Sequence, residues 1–436
     1  MLDIDYIRKN RDKVKQAAEN KNVDVDVDKL IELSQKRSAL TSKIESKRAE
    51  QNRLDQEIKK AGKPPQALLE KARAIKADIK KLSQELERIE PEYYRLLKQV
   101  PNMPTDDTPV GASEDDNRVV YQWGKKPDLG FEPKNHWQLA SRRGWIDKER
   151  AAKVTGARFA YIMGDLAKLQ IAIVGFVIDK LTDEAVLKEI IREYDLDEET
   201  STKPFLPVLP PFMLKTEVFD AMDRLEPEED RYQIQGDNLW LQGSAEHVLG
   251  PMHMGEIIPR SDLPLRYLGY ATSFRREAGT YGKDMEGIIR MHQFDKLEME
   301  IIAAPEHGLR EHMLTIAIQE YLIRQLNIPY QKLLKCTADI GKPNARGVDL
   351  EAWLPGQGRY RETHTADFMT DYQSRRLMMR TRSEDGKHTE YVHTVDATAF
   401  ALGRIMVAIM ENYQTKEGKV TVPQALVPYM KGVKEI

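Results

Sequence analysis

The sequence predicts an α+β protein in which an antiparallel helical hairpin precedes an antiparallel sheet flanked by helices. Two heptad-spaced apolar series flank a Gly-Pro breaker, and an acidic, proline-bearing stretch follows them. The remainder alternates short strand-like and helix-like runs irregularly, without the Gly-rich fingerprint or phosphate loop of a parallel nucleotide-binding fold. At 436 residues the chain has material for two or three domains. The expected division is a helical arm over 1–105 and a main domain over 106–436.

Leu30, Leu33, Arg37, Leu40, Ile44, Lys47, Gln51, Leu54 and Ile58 step by threes and fours, with polar residues in three places of the seam. The breaker Ala61-Gly62-Lys63-Pro64-Pro65 should stop that helix. Leu68, Ala72, Ile75, Ile79, Leu82, Leu86, Ile89, Tyr93 and Leu96 then resume the rhythm with no polar interruption. Two helices of roughly 40 Å each, at 1.5 Å per residue, are expected to fold back as a coiled coil. From Lys36 to Arg88 there are 15 Lys and Arg against 8 Asp and Glu, in a chain whose net charge is −3. The arm is therefore a basic appendage on an acidic body. Such a rod serves either as a dimerisation or spacer element or as a surface for RNA phosphates, and heptads alone do not choose.

Residues 101–118, PNMPTDDTPVGASEDDNR, read as a linker. Beyond them the pattern predicts a helix over 164–181, strands around 206–209, 239–241 and 266–276, and a final helix over about 399–413. A single cysteine, Cys336, excludes an internal disulfide framework, and MLDIDYIRKN lacks the apolar core of a secretory signal. No apolar run approaches the roughly 18 residues that span a bilayer. A cytoplasmic protein without a membrane partner is expected.

The chemistry concentrates between Ser273 and Glu300. Alternation over 288–301 puts Ile289, Met291, Leu297, Met299 and Ile301 on one face, and Arg290, His292, Phe294, Lys296, Glu298 and Glu300 on the other. Arg275 and Glu277 share a face of the preceding strand, joined through a turn over Gly279 to Gly287. Taken singly these are ordinary ion pairs and a core ring. Together they fit an anionic, aromatic ligand, with phosphates on arginine, a base on Phe294 and an amine or hydroxyl on Glu298. His364, His393 and Cys336 do not make a zinc set, since such a site needs three or four ligands and no close Cys/His pairing is visible, so no zinc is expected.

TSFRREAG with IIRMHQFDKLE resembles the second signature motif of class II aminoacyl-tRNA synthetases, in the form seen in seryl-tRNA synthetases. GARFAYIMGDLAKLQIA (156–172) and PVLPPFMLK (207–215) resemble the first-motif region, and LQGSAEHVL (241–249) the TxE loop with serine for threonine. LEAWLPGQGRYRETHT (350–365) and VHTVDATAFALGR (392–404) cover the third motif, and ENYQTKEGKVTVPQALVPYM the C-terminal end. The resemblance implies a homodimer formed through the first motif, with the hairpin reaching to tRNA(Ser) and, by family extension, tRNA(Sec). It implies that ATP and L-serine, with Mg²⁺, give seryl-adenylate and pyrophosphate before the seryl group passes to the tRNA.

Carried over, the resemblance assigns Arg275 to the α-phosphate and the serine carboxylate and Arg404 to the γ-phosphate. Phe294 stacks on adenine, Glu277 accepts from its amino group and Met291 offers backbone. Glu362 with Thr365 binds Mg²⁺ and ATP, and Arg276, Thr363 and His364 complete the ATP set. Arg275, Glu362 and Arg404 are the catalytic residues. Ser244, Ala245 and Glu246 receive the ammonium, with Asp396 nearby, while Glu298 and Thr398 receive the hydroxyl. Two departures bear on this pocket: Glu362-Thr363-His364-Thr365 stands where EISS is usual, and Asp396 where asparagine is usual. Asp396 either adds negative charge for the ammonium or turns away to an arginine such as Arg376. The runner-up readings are an adenylating ligase for another small amino acid or a carrier protein, and a non-catalytic tRNA-binding paralogue. The basic arm argues against the first, and retention of Arg275, Glu277, Glu298, Glu362 and Arg404 against the second. Lys296 and Glu300 receive no role.

Overall fold

The computed structural model describes every residue except Lys63 and residues 279–285. It divides into two compact units, Met1–Met103 and Pro104–Ile436. No helix among the described residues is long and apolar enough to cross a membrane.

In the first unit two short helices, α1 (Ile4–Lys9) and α2 (Arg11–Asn20), precede the long pair α3 (Val27–Lys60) and α4 (Gln66–Gln99). The Asp26 side chain caps α3 by accepting from Lys29 N at 2.8 Å. The breaker ends it as expected, with α4 resuming after Pro65. Each long helix has 34 residues, hence about 50 Å rather than 40 Å. The seam buries Leu30, Leu33, Leu40, Ile44 and Leu54 against Ile75, Tyr93 and Leu96. Two of its three polar places are answered across the hairpin: Arg37 pairs with Glu90 at 3.2 Å and lies over the Tyr93 ring at 5.4 Å, and Lys47 reaches Asp78 at 3.0 Å.

The second unit is built on eight strands: β1 (Arg118–Trp123), β2 (Leu206–Val208), β3 (Leu265–Phe274), β4 (Gln293–Ala303), β5 (Tyr330–Leu334), β6 (Arg346–Leu354), β7 (Arg359–Thr370) and β8 (His393–Ala401). Their order is β1-β5-β6-β7-β8-β4-β3-β2, antiparallel except where β2 lies beside β3. Helices α5 (Gly164–Leu181), α6 (Gly308–Gln325) and α7 (Leu402–Asn412) supply buried residues to the same core as the sheet's apolar face. Leu297, Met299 and Ile301 of β4 and Val395, Ala397 and Ala399 of β8 point into that core. Pleating therefore turns Glu298, Glu300, Asp396 and Thr398 to the opposite face. An antiparallel sheet commonly leaves such a face in water, yet these four side chains are buried.

Several expectations are corrected. The strand expected to reach Arg276 stops at Phe274, and the next begins at Gln293 rather than Ile288. Arg275, Glu277, Arg290 and Met291 thus stand on connecting backbone, where strand alternation does not apply. The final helix begins at Leu402, because Ala399 belongs to β8. The expected linker is tied down from Thr105 onward: Thr105 N donates to Ala345 O at 2.9 Å, Thr337 N to Pro109 O at 2.8 Å, and Cys336 N to the Asn117 side chain at 2.8 Å. Its composition resembles a loop, but its backbone is paired like that of a packed segment. Residues 279–285 of the expected turn lie outside the described residues.

Two β-bulges disturb the sheet where it matters. Register shifts occur between Leu350 and Glu351 against β7, leaving Thr363 as the extra residue, and between Thr398 and Phe400 against β4. Gln319 of α6, fully buried, donates through its Nε2 to Thr365 O at 2.7 Å and Thr398 O at 2.9 Å.

Candidate active site

A cavity opens where the ends of β3 and β4, the bulged part of β7 and the first turn of α7 meet. It is lined by nine of the residues selected from the sequence: Arg275, Glu277, Met291, Phe294, Glu362, Thr363, Thr365, Thr398 and Arg404. The Arg275 guanidinium sits 5.4 Å from the Phe294 ring centroid and donates through Nε to Gly243 O at 2.9 Å. This fixes a cation beside an aromatic plate. Glu277, at φ +53°, turns the chain so that its carboxylate meets Arg290 at 2.9 Å. Arg404 bonds both the carboxylate of Glu362, at 2.7 Å, and its carbonyl, at 3.1 Å. Burial opposes ionisation of Glu362, but Arg404 and then Lys335 prevail and hold its carboxyl below the usual range.

The wall at Ile288 and Ile289 is anchored from behind. Buried His136 accepts at Nε2 from Ile288 N at 3.4 Å, so its Nδ1 proton is directed to Glu411 Oε1 at 3.1 Å. Gly287 has φ +71°, and a Cβ there would stand 1.8 Å from His136 Nε2. Gly287→Ala should cost about 1–3 kcal/mol in backbone strain alone and displace this wall. The expected outcome is at least tenfold weaker ATP binding by titration, with a lowered melting temperature; unchanged affinity would show that the anchor is irrelevant to the cavity.

Deeper on the same sheet face the groups become acidic. The Ser244 hydroxyl donates to Glu298 Oε2, and Lys296 Nζ holds Glu298 Oε1 at 2.6 Å. Glu246, from the short helix Glu246–Leu249, pairs through Oε1 with Arg224 Nε at 2.5 Å. Although burial pushes the other way, Arg224 holds the Glu246 carboxyl well below its usual range. Asp396 hydrogen-bonds to Glu246, and burial followed by that neighbour raises its carboxyl well above the usual range. One oxygen each from Glu246, Glu298 and Asp396 lies within 4.8 Å of the others.

The structure separates the remaining expectations. His364 leaves the cavity, because the bulge at Thr363 turns it toward the core, where it lies 5.1 Å from the Phe400 ring and burial lowers its pKa to about 3. Arg276 leans over Tyr232 at 5.7 Å and does not line the cavity. The Ala245 side chain packs with Leu249, Tyr267 and Ala271, so it cannot face a ligand. Asp396 does not seek Arg376, which instead bonds Asp223 at 3.2 Å and the carbonyls of Asp220 and Ala221. Asp349, Arg224, Lys296, Glu300 and Asp367 complete the face and were not assigned from the sequence. Alternation beyond Thr365 and along Val348 to Glu351 carried a signal for Asp367 and Asp349; Arg224 stands in an irregular segment and carried none.

The donors beside Glu362 suit a hard cation. Thr365 Oγ1 and Asp349 Oδ1 are buried, and Thr365 lies opposite Asp349 in register, so the hydroxyl and the carboxylate face one another. Burial, only partly offset by Lys335, lifts the Asp349 carboxyl to about 7. Oxygen donors of this kind fit Mg²⁺.

Residues 1–104 match the seryl-tRNA synthetase N-terminal domain, and residues 229–413 the tRNA synthetase class II core domain (G, H, P, S and T). The chain is 36% identical over 440 residues to a serine–tRNA ligase of Nitrosopumilus maritimus, covering all of both chains. It also resembles the crystal structure of seryl-tRNA synthetase from Pyrococcus horikoshii complexed with ATP, with a TM-score of 0.88, 35% identity and coverage of 100% of this chain and 99% of that one. The cytoplasmic serine–tRNA ligase of Naegleria fowleri in complex with AMP superposes with a TM-score of 0.84 at 27% identity, covering 100% and 98% of the two chains. With full-length identity of this order and both its domains matched, the chain belongs to the seryl-tRNA synthetase family.

Proposed function

We propose that the protein activates L-serine with ATP to seryl-adenylate and transfers the seryl group to tRNA(Ser). The observation that carries this is one site: Arg275, Phe294, Glu362, Thr398 and Arg404 around the cavity, with Glu298 deeper on the same sheet face and Glu246, from the short helix, within 4.8 Å of it. The difficulty of the first step is attack by a carboxylate on a phosphorus that already bears negative charge. Arg275 steadies both anions, the serine carboxylate and the α-phosphate, while Phe294 stacks on adenine and Glu277 and the Met291 backbone bond its edge. Arg404 takes the γ-phosphate and draws pyrophosphate away from the attacking oxygen. Glu362, Thr365 and Asp349 would hold Mg²⁺, which supplies charge neutralisation to the phosphates when bound.

Ser244 and Glu246 orient the ammonium, and Glu298 with Thr398 the hydroxyl. A site built to bond a hydroxyl disfavours alanine by about 10⁴, since its polar groups are left unpaired. Residues 1–105 are assigned as the tRNA-binding arm and 106–436 as the catalytic domain. Homodimerisation through the first-motif region is supported by its exposed apolar side chains, Ile171 at 72%, Leu206 at 58% and Leu209 at 83% exposure. The basic arm supports a tRNA ligase over a carrier-protein ligase, and the single cysteine supports a cytoplasmic location. Serine-dependent ATP–pyrophosphate exchange is the decisive measurement. Exchange with alanine, glycine or threonine but none with serine would sink the assignment.

A further inference from the structure

The inner face carries more carboxyl groups than serine needs. Glu246, Glu298, Glu300, Asp367 and Asp396 are all buried. Glu300, Asp396 and Asp367 stand opposite one another across β4, β8 and β7, which places them side by side on one face. Two cations are bonded within this group, Arg224 on Glu246 and Lys296 on Glu298. Lys335 reaches Asp349 and Asp339 at 3.8 and 3.9 Å. Both oxygens of Glu300, and Oδ1 of both Asp396 and Asp367, are buried with no hydrogen-bond partner among the described residues. Buried acceptors left in that state are costly unless a ligand answers them.

Serine brings one ammonium and one hydroxyl. The ammonium meets Ser244 and Glu246, and the hydroxyl meets Glu298 and Thr398, so Glu300 and one side of Asp396 remain without a counterpart. A ligand with a second positive charge would complete the set. Packing beside this face is tight: a methyl group on Gly250 would meet Met222 Cε at 2.6 Å, and one on Gly269, opposite Glu298, would meet Leu249 Cδ1 at 2.6 Å. A second charge needs no added space when it sits on a side chain no longer than that of serine.

We propose that the amino-acid pocket also accepts L-2,3-diaminopropionate, which carries an ammonium where serine carries its hydroxyl, and that Asp396 and Glu300 receive that second charge. The proposal rests on the adenylating reading above and extends its substrate class. Nitrogen replaces oxygen at the same position, so the fit is unchanged, while three N–H donors replace one O–H. Lys296 repels the new charge from Glu298 and directs it toward Asp396 and Glu300. Burial, then Glu246, raises both of these carboxyls well above the usual range while no cation faces them, and an ammonium beside them acts in the opposite direction. The reaction balances as for serine. A carboxylate oxygen of the diamino acid bonds the α-phosphorus, the bridging bond to the β-phosphate breaks, and its electron pair leaves with pyrophosphate.

The test is ATP–pyrophosphate exchange by the full chain with serine, L-2,3-diaminopropionate and alanine, with the adenylate identified by mass. Diaminopropionate is expected within about a hundredfold of serine in kcat/KM, and alanine about 10⁴ below serine. In Asp396→Asn and, separately, Glu300→Gln, the ratio of kcat/KM for diaminopropionate to that for serine should fall at least tenfold, with folding checked by thermal melts. Serine exchange with diaminopropionate no better than alanine would overturn this inference and leave the serine reading standing. Exchange with neither amino acid would overturn both. Diaminopropionate exchange with the ratio unmoved in both variants would refute the roles given to Asp396 and Glu300.

Discussion

Arg275→Ala is expected to lower serine-dependent ATP–pyrophosphate exchange by about 10²–10³, the usual loss when one preorganised charge-stabilising donor is removed. The effect is larger than the loss of a surface cation because the guanidinium is placed before any ligand arrives. Gly243 O fixes it at Nε, and the Phe294 ring lies beneath it. Removal therefore strips a charge from the phosphate path and frees the ring that should bear the base. Arg275→Lys should recover only a minor part, since an ammonium cannot bond a carbonyl, two oxyanions and a ring face in one plane. Both kcat and the KM for serine should suffer, because the same side chain serves both reacting anions. Near-normal exchange in Arg275→Ala would remove this residue from the catalytic set.

Replacing residues 30–98 with a short flexible connection should leave exchange within about threefold of the intact protein and abolish tRNA charging. The segment from Lys36 to Arg88 has 15 basic against 8 acidic residues, and only some of its cations are engaged by acids across the hairpin, as Lys36 is by Glu85 and Lys47 by Asp78. Others, such as Arg48, Arg53, Lys76 and Lys80, are exposed on helices about 50 Å long, enough for several phosphate contacts. In the intact protein, log KM for tRNA should therefore rise steeply with log salt, while serine exchange stays nearly flat. Unchanged charging by the shortened protein would refute the RNA role of the arm.

The β4 part of this site is legible because period-two alternation is a property of the backbone, independent of what the side chains do; Ser244, Glu246, Glu362, Thr365, Thr398 and Arg404 come from the family resemblance alone. Alternation separated Phe294, Lys296, Glu298 and Glu300 from Leu297, Met299 and Ile301, and the fold keeps that division. It failed where the backbone is not a plain strand. Arg290 and Met291 were given faces of a strand that begins only at Gln293, and they reach the cavity through loop geometry that alternation does not encode. The resemblance sets His364 beside Thr363 and Thr365 in the ATP set, and a one-residue bulge, which leaves no mark in the sequence, turns it away. The stretch after Thr105 looked like a linker because prolines and acids are common in linkers, whereas its pairing with Ala345, Thr337 and Cys336 depends on residues more than 200 positions away. Arg224 was invisible for a related reason, since its partner Glu246 is fixed by the tertiary path and by no spacing rule.

Gln319 gives the pocket a dependence on a residue that no ligand approaches. Its one amide nitrogen spans Thr365 and Thr398, the two threonines standing where β7 and β8 depart from regular pairing. A glutamate there would offer acceptors to carbonyls, and a leucine would offer nothing. Transplanting the threonines and carboxylates of this face onto another antiparallel sheet would therefore carry over the side chains without the offset that aims them. The portable unit of this site is the pair of strands together with one turn of α6.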